Sequence, residues 1–301
     1  MTSLAAADDT VEEARRRQLL ALGAAFVTVV LWASAFVGIR SASTEFSAGA
    51  LTLGRLLVGT TALSIVALSR RARLPARADL GRLLACGLLW FAVYNVVLNE
   101  AEHRVDAGTA AMLVNVNPIF VAILAGVLLH EGFPRGLLLG CLIAFAGAVV
   151  IGLATSDASS AAGLGAALCV VAALASALGF VLQKPLLTRM TALEATWCGC
   201  AIGMLATLPF APQLVREIGD AHGTKLAWIV YLGVFPTAIA FTTWSYALAR
   251  TEAGRLGSTT YLVVPIAIVL GWIMLSERPP VIAIAGGALC VAGAAIARRR
   301  A

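Results

Sequence analysis

The chain has 301 residues, 60% of them hydrophobic and 13% charged, with a formal net charge of +6; a soluble domain carries roughly 45–50% and about 25%. An ordinary soluble globular domain is excluded, because the apolar residues form blocks of about twenty, the length that crosses a bilayer. The 22 basic residues are strung out between those blocks and form no basic stripe interleaved with aromatics, which excludes nucleic-acid binding.

Residues 1–17 read as a polar cytoplasmic tail ending in Arg15-Arg16-Arg17, followed by an apolar run from Leu19 to Ile39 that makes the first span. Ala33-Ser34-Ala35 imitates a signal-peptide cleavage site, yet the apolar run continues past it. Nine more spans follow at about 46–68, 80–100, 106–129, 134–154, 163–183, 194–211, 226–248, 255–275 and 280–297. Cys86, Cys141, Cys169, Cys198, Cys200 and Cys290 all lie inside apolar runs and read as small membrane hydrophobes. Cys198-x-Cys200 has neither the spacing nor the His partner of a metal or redox pair. The expectation is no metal and no cofactor.

Ten spans put both termini on one side. If that side is the cytoplasm, the inner segments hold sixteen of the basic residues, Arg15–Arg17, Arg70, Arg71, Arg73, Arg77, Arg82, Arg135, Lys184, Arg189, Arg250, Arg255 and Arg298–Arg300. Arg40, Arg104, Arg216, Lys225 and Arg278 are the five left outside, with Arg55 inside the membrane. Cytoplasmic loops are enriched in Lys and Arg, so the expected topology is N-in and C-in in the plasma (inner) membrane.

The second half restates the first. A shift of 146 carries Ala107-Gly108 onto Ala253-Gly254, Glu131 onto Glu277, Pro134 onto Pro280, Gly140 onto Gly286 and Gly147 onto Gly293. A shift of 144 carries Phe36-Val37-x-x-Arg40 onto Phe180-Val181-x-x-Lys184. Five spans per unit force the second copy to enter the membrane upside down. The expected fold is therefore an all-α integral membrane protein of ten transmembrane helices in two inverted five-helix repeats, 18–154 and 163–297, joined by a loop at 155–162 and closed by a tail at 298–301. Inverted repeats of this kind build transporters with a site near the midplane between the copies.

With these residues in hand, the chain over 18–297 resembles the drug/metabolite transporter superfamily, specifically its EamA-type branch, which includes aromatic amino-acid exporters. The resemblance rests on the Trp32 to Arg40 opening, Arg55, the stretch from Ala107-Gly108 through Pro118 to Glu131 with Gly140 and Gly147 beyond, and the second copy of that stretch. Two departures stand out. Pro265 falls one residue out of register with Pro118, and Arg55 has no basic counterpart in the seventh span. The resemblance implies a substrate cavity near the two-fold axis and amino acids or similar amphiphiles as substrates.

Pro118, Pro236 and Pro265 are candidate helix kinks, since each leaves the carbonyl four residues earlier, of Val114, Leu232 and Tyr261, without its usual donor. In lipid such a carbonyl must face protein or a wet cavity, or else the proline serves packing alone. Asn115 and Tyr261 correspond under the 146 shift and are expected to face each other at the axis as ligands, while Asn117 reads as an interhelical hydrogen bond. Trp90 and Tyr94 share one helical face with Asn95 and Asn99 on an adjoining one, and Phe241 belongs to a similar ladder with Thr237. Trp90, Tyr94, Asn95, Asn115, Phe241 and Tyr261 are thus the candidate substrate-cavity residues. Trp244 and Trp272 read as interfacial belt.

Arg55 is a buried charge that needs compensation, expected from Asn95, Asn99 or Glu100, the other reading being contact with an anionic substrate group. Glu131 and Glu277 are expected to pair with basic loop residues, and Gly136-x-x-x-Gly140 and Gly199-x-x-x-Gly203 to let helices approach closely. The expected function is a secondary transporter, an exporter of small amphipathic metabolites such as amino acids, working by alternating access. The expected partners are a small-molecule substrate and the lipid bilayer. A membrane enzyme acting on lipid-linked substrates is the alternative; His103, His130 and His222 lie on separate segments with no nucleophile or metal motif beside them.

Overall fold

A computed structural model describes residues 2–104, 110, 113–155, 162–275 and 281–298, and every regular element among them is helical. Helix α1 (Thr2–Ala42) is unbroken, so the charged segment expected as a tail continues the first span as helix. Its Glu, Ala and Arg residues are strong helix formers, and Arg17 Nη2 reaches Glu13 Oε1 at 2.5 Å one turn away. Helix α2 (Ala48–Ser69) follows a short turn.

The third crossing segment is composite. Helix α3 (Leu80–Cys86) runs without a break through a π-helical stretch, Gly87–Val93, into α4 (Tyr94–Glu102). Helices α5 (Asn117–Leu128), α6 (Arg135–Thr155), α7 (Ala162–Leu186) and α8 (Ala192–Thr207) come next, α8 opening on a capping box between Thr191 and Glu194. After α9 (Ala211–Asp220), α10 (Gly223–Leu232) passes through a second π-helical stretch, Gly233–Ile239, into α11 (Ala240–Leu248). A short α12 (Ala253–Gly257) and a 3₁₀ segment, Ser258–Leu262, lead into α13 (Val263–Leu275), and α14 (Val281–Arg298) ends the fold.

Among the described residues, seven helical segments are long and apolar enough to cross a membrane, and three shorter apolar stretches lie in α5, α6 and α14. Phe26, Ile65, Leu139, Trp272, Ile273 and Ile284 are all exposed, an outward apolar surface that lipid would cover. Inside, the closest approach is between α6 and α14. A Cβ on Gly147 would lie 2.5 Å from the Gly286 carbonyl oxygen, and one on Gly293 would lie 2.6 Å from that of Gly140. The 146 shift exchanges these two contacts.

The two π-helical stretches are likewise 146 residues apart at both ends. Each packs on a helix from the other half of the sequence, Gly87–Val93 on α8 and Gly233–Ile239 on α2. Glycine opens both. A Cβ on Gly87 would lie 3.0 Å from Gly199 O, and one on Gly233 2.8 Å from Arg55 O.

Candidate functional site

The three prolines break helices in different ways. Pro118 stands in the first turn of α5, just after a turn at Asn115-Val116, so it starts a helix instead of kinking one. Pro265 is the third residue of α13, following the 3₁₀ segment. Pro236 lies inside the second π-helical stretch, and the carbonyl it frees on Leu232 accepts a hydrogen bond from Thr237 Oγ1 at 2.8 Å. In the first stretch, which holds no proline, Asn95 Nδ2 donates to the carbonyls of Trp90 and Phe91 at 3.2 and 2.9 Å.

These irregular stretches border a cavity of about 90 Å³. At roughly 10–15 Å³ per water on that scale, it holds several waters or a compact metabolite. Trp90, Tyr94, Asn95, Asn115, Phe241 and Arg55 all line it, so five of the six expected cavity residues and the buried charge meet. Tyr261 does not. It is fully buried outside the cavity, in an apolar cluster with Ala122, Leu137 and Cys141, and its hydroxyl has no hydrogen-bond partner among the described residues. The 3₁₀ segment that carries it presents Thr260 to the cavity instead, a rotation that goes with the one-residue offset of Pro265.

Trp244 also departs from expectation: it is 1% exposed and part of the cavity wall, while Trp272 is exposed. Trp32, Phe36, Ser176 and Phe180 also line the cavity and were not singled out as site residues from sequence. Trp32 sits at the middle of an aromatic box, its ring centroid 6.3 Å from Trp90, 5.4 Å from Phe241 and 4.9 Å from Trp244. Phe180 closes the far side, 5.7 Å from Trp90 and 5.3 Å from Trp244. Tilted and edge contacts at these separations add to the burial of apolar area. Trp32 Nε1 donates to Pro236 O at 3.3 Å, whereas Trp244 Nε1 is buried without a partner among the described residues.

The repeat holds the signal that single-residue reasoning missed. Trp32 and Ser176, and Phe36 and Phe180, differ by 144, and all four line the cavity. Asn95 and Phe241, Leu98 and Trp244, Val114 and Thr260, and Asn117 and Val263 differ by 146, and all eight line it as well. Corresponding positions thus meet on one cavity although, apart from Phe36 and Phe180, their side chains differ in kind.

Polar contacts at the wall are mostly structural. Asn117 Nδ2 donates to Ala173 O at 3.0 Å and to Ser176 Oγ at 2.6 Å, the interhelical role expected of it. Asn99 Nδ2 donates to Thr52 Oγ1 at 3.0 Å, and Glu100 pairs with Arg104. Neither they nor Asn95 hold Arg55. Its partner comes from the other half: Nε donates to Thr237 Oγ1 at 3.1 Å.

A second charged cluster lies away from the cavity. Lys184 Nζ meets Glu131 Oε1 at 2.6 Å and donates to Thr251 O at 2.7 Å, while Glu131 accepts from the backbone N–H groups of Ala253 and Gly254 at 2.8 and 3.0 Å. Glu131 thereby ties the end of α5 to α7 and to the start of α12. Its counterpart Glu277, with Ala107-Gly108, lies outside the described residues.

The EamA-like transporter family matches the chain twice, over residues 19–153 and 163–299, so the chain belongs to that family and is a multi-pass membrane protein. A probable terminal-alkyne amino-acid exporter of Streptantibioticus cattleyicolor is 37% identical over 93% of this chain and 94% of its own length. An uncharacterized transporter, YdfC, of Bacillus subtilis is 31% identical over 87% of this chain and 86% of its own. A probable amino-acid metabolite efflux pump of Salmonella typhimurium is 24% identical over 89% and 91%. One solved crystal structure shares the fold at a TM-score of 0.76 with 19% identity, covering 92% of this chain and 96% of that one.

Proposed function

We propose that the protein is a secondary transporter that exports small amphipathic metabolites, amino acids among them, by alternating access at the aromatic cavity. The reading includes ten crossings in two inverted five-helix units, 18–154 and 163–297, with both termini cytoplasmic in the plasma membrane. The observation that carries it is the cavity wall itself, drawn from corresponding positions of the two halves as a site on a two-fold axis would be. The matched π-helical stretches and the paired glycine contacts between α6 and α14 support the same symmetry. The three shorter apolar stretches, added to the seven long segments, support ten crossings. Among substrates, a wall of seven aromatic side chains with amide and hydroxyl groups and one buried cation suits a small amphiphile better than a sugar phosphate, whose doubly charged head would call for several basic groups. The relatives named as amino-acid exporter and efflux pump support that class.

The test is flux of a labelled panel of amino acids and related metabolites in liposomes carrying the full-length protein, with and without a pH gradient. Saturable flux of unmodified substrate is expected. Chemical conversion of the panel, or no movement of any member, would overturn the reading.

A further inference from the structure

The charge at the cavity is held in a particular way. Arg55 is 4% exposed and lines the cavity, and a guanidinium remains protonated even there. Of its five N–H donors, the one on Nε is committed to Thr237, whose own proton goes to the carbonyl that Pro236 frees. This chain of bonds fixes the plane of the guanidinium and leaves its terminal fork unassigned. Among the described residues no carboxylate forms an ion pair with Arg55, and its terminal nitrogens are not among the polar atoms sealed away without a partner. Glu102, at the end of α4, is within electrostatic reach of both Arg55 and Arg40, yet it leaves the fork open.

We propose that the Arg55 fork is the carboxylate subsite of the transported molecule, oriented by Thr237, with the Trp32, Trp90, Phe180, Phe241 and Trp244 box taking the apolar part. The inference rests on the transport reading above and adds to it the substrate chemistry: a carboxylate on a compact apolar or unsaturated body. A planar fork matches the two oxygens of a carboxylate, and a buried pairing of this kind is screened less than one at a surface. An intramembrane cation costs at least about 2.5 kcal/mol on insertion scales, and a carboxylate bonded directly to the fork offsets more of that cost than Glu102 does from a distance. Specificity follows from the same geometry. An ester of the same body offers no charge to the fork and leaves it unpaired.

The experiment compares L-phenylalanine, 3-phenylpropanoate and L-phenylalanine methyl ester as probes, by thermal shift in detergent and by flux in proteoliposomes. Wild type should favour both acids over the ester. Arg55→Gln should weaken binding of both acids about 10–100-fold, the range of a charged hydrogen-bonded pair, and leave the ester within about 2-fold. Arg55→Lys should recover part of the loss, since it restores charge without the fork. Thr237→Val, which keeps the charge and removes its tether along with the hydrogen bond to Leu232 O, should weaken acids several-fold with the ester unchanged, and it carries the test together with Arg55→Lys if Arg55→Gln does not fold. Wild type binding acids and ester equally, or variants weakening all three probes alike, would overturn the subsite and leave transport standing. Wild type moving neither the probes nor any member of the wider panel would bring down the transport reading itself.

Discussion

Cys290 Sγ lies 3.4 Å from the carbonyl oxygen of Ala144, and the two residues are 146 apart, the same interval that relates the glycines on either side of them. A residue therefore meets its own counterpart at the centre of the α6–α14 contact, which is what a two-fold axis running through that contact would produce. The seam is made by absent side chains. Between apolar helices in lipid there is little hydrophobic drive, and close backbone approach through small residues supplies the attraction.

Filling the seam should therefore destabilise. In Gly293→Ala the new Cβ would sit 2.4 Å from Ala144 N, a backbone atom that cannot swing away, and overpacking of this kind costs about 1–3 kcal/mol. A clear fall in melting temperature in detergent is expected. Gly81→Ala, where a Cβ meets nothing within 4 Å, should melt at or above wild type. Equal behaviour of the two variants would mean that the seam does not stabilise the fold.

The Glu131 cluster should behave as a unit. Glu131→Gln loses the ion pair with Lys184 and weakens the hold on Ala253 and Gly254, at about 1.5–3 kcal/mol for charged hydrogen bonds. Lys184→Met should cost part of the same amount, and the double variant less than the sum. Strict additivity in melting measurements would deny the coupling.

Tyr261→Phe should leave both transport and stability at wild-type level or better, because the substitution removes a buried hydroxyl that has no partner among the described residues. Trp90→Ala, which opens one side of the aromatic box, should raise the half-saturation constant for aromatic substrates. A transport defect in Tyr261→Phe would restore the original expectation that this residue faces the substrate.

At the loop between α1 and α2, Glu45 accepts from His222 N at 2.9 Å and lies 2.9 Å from its Nδ1. The backbone hydrogen bond from His222 leads the effects that hold the Glu45 carboxyl below its ordinary value of 4.5. A lowered value in the folded state means that the contact stabilises above the ordinary value and is lost as pH falls through the lowered one. Acid should loosen this loop below about pH 4.5, and Glu45→Gln should abolish that part of the acid response in hydrogen exchange. An unchanged acid profile in the variant would disprove the role.

Orientation has its own test. Reporter fusions at Ala301 and within 156–162 should report inside and outside, as the sixteen-to-five basic asymmetry requires. Both on one side would refute ten crossings.

The helical fold and the family could be read from the sequence because block length and the 146-residue correspondence are properties of the chain alone. The cavity was legible only where a residue's chemistry drew notice. Trp90, Tyr94 and Phe241 were found as aromatics and Asn115 as an amide, whereas Phe180 and Thr260 were not singled out as site residues, although Phe180 corresponds to Phe36 under the 144 shift. Arg55 shows the opposite limit. Its burial was plain from nine residues of apolar approach, but its partner, Thr237, lies 182 positions away and is brought there by a π-helical turn that no hydrophobic period announces.

Those π-helical stretches also set which side chains reach the cavity. An α-helix advances about 100° per residue, and a π turn holds one residue more, so the same residues wound as α-helix over Gly87–Val93 would turn everything beyond by about that angle. Asn95 and Leu98 would then leave the wall. Loss of a single residue from the stretch, by contrast, lets it close to α geometry with the helix beyond in phase. Within these two seven-residue windows, the winding of the helix constrains the wall as tightly as residue identity does.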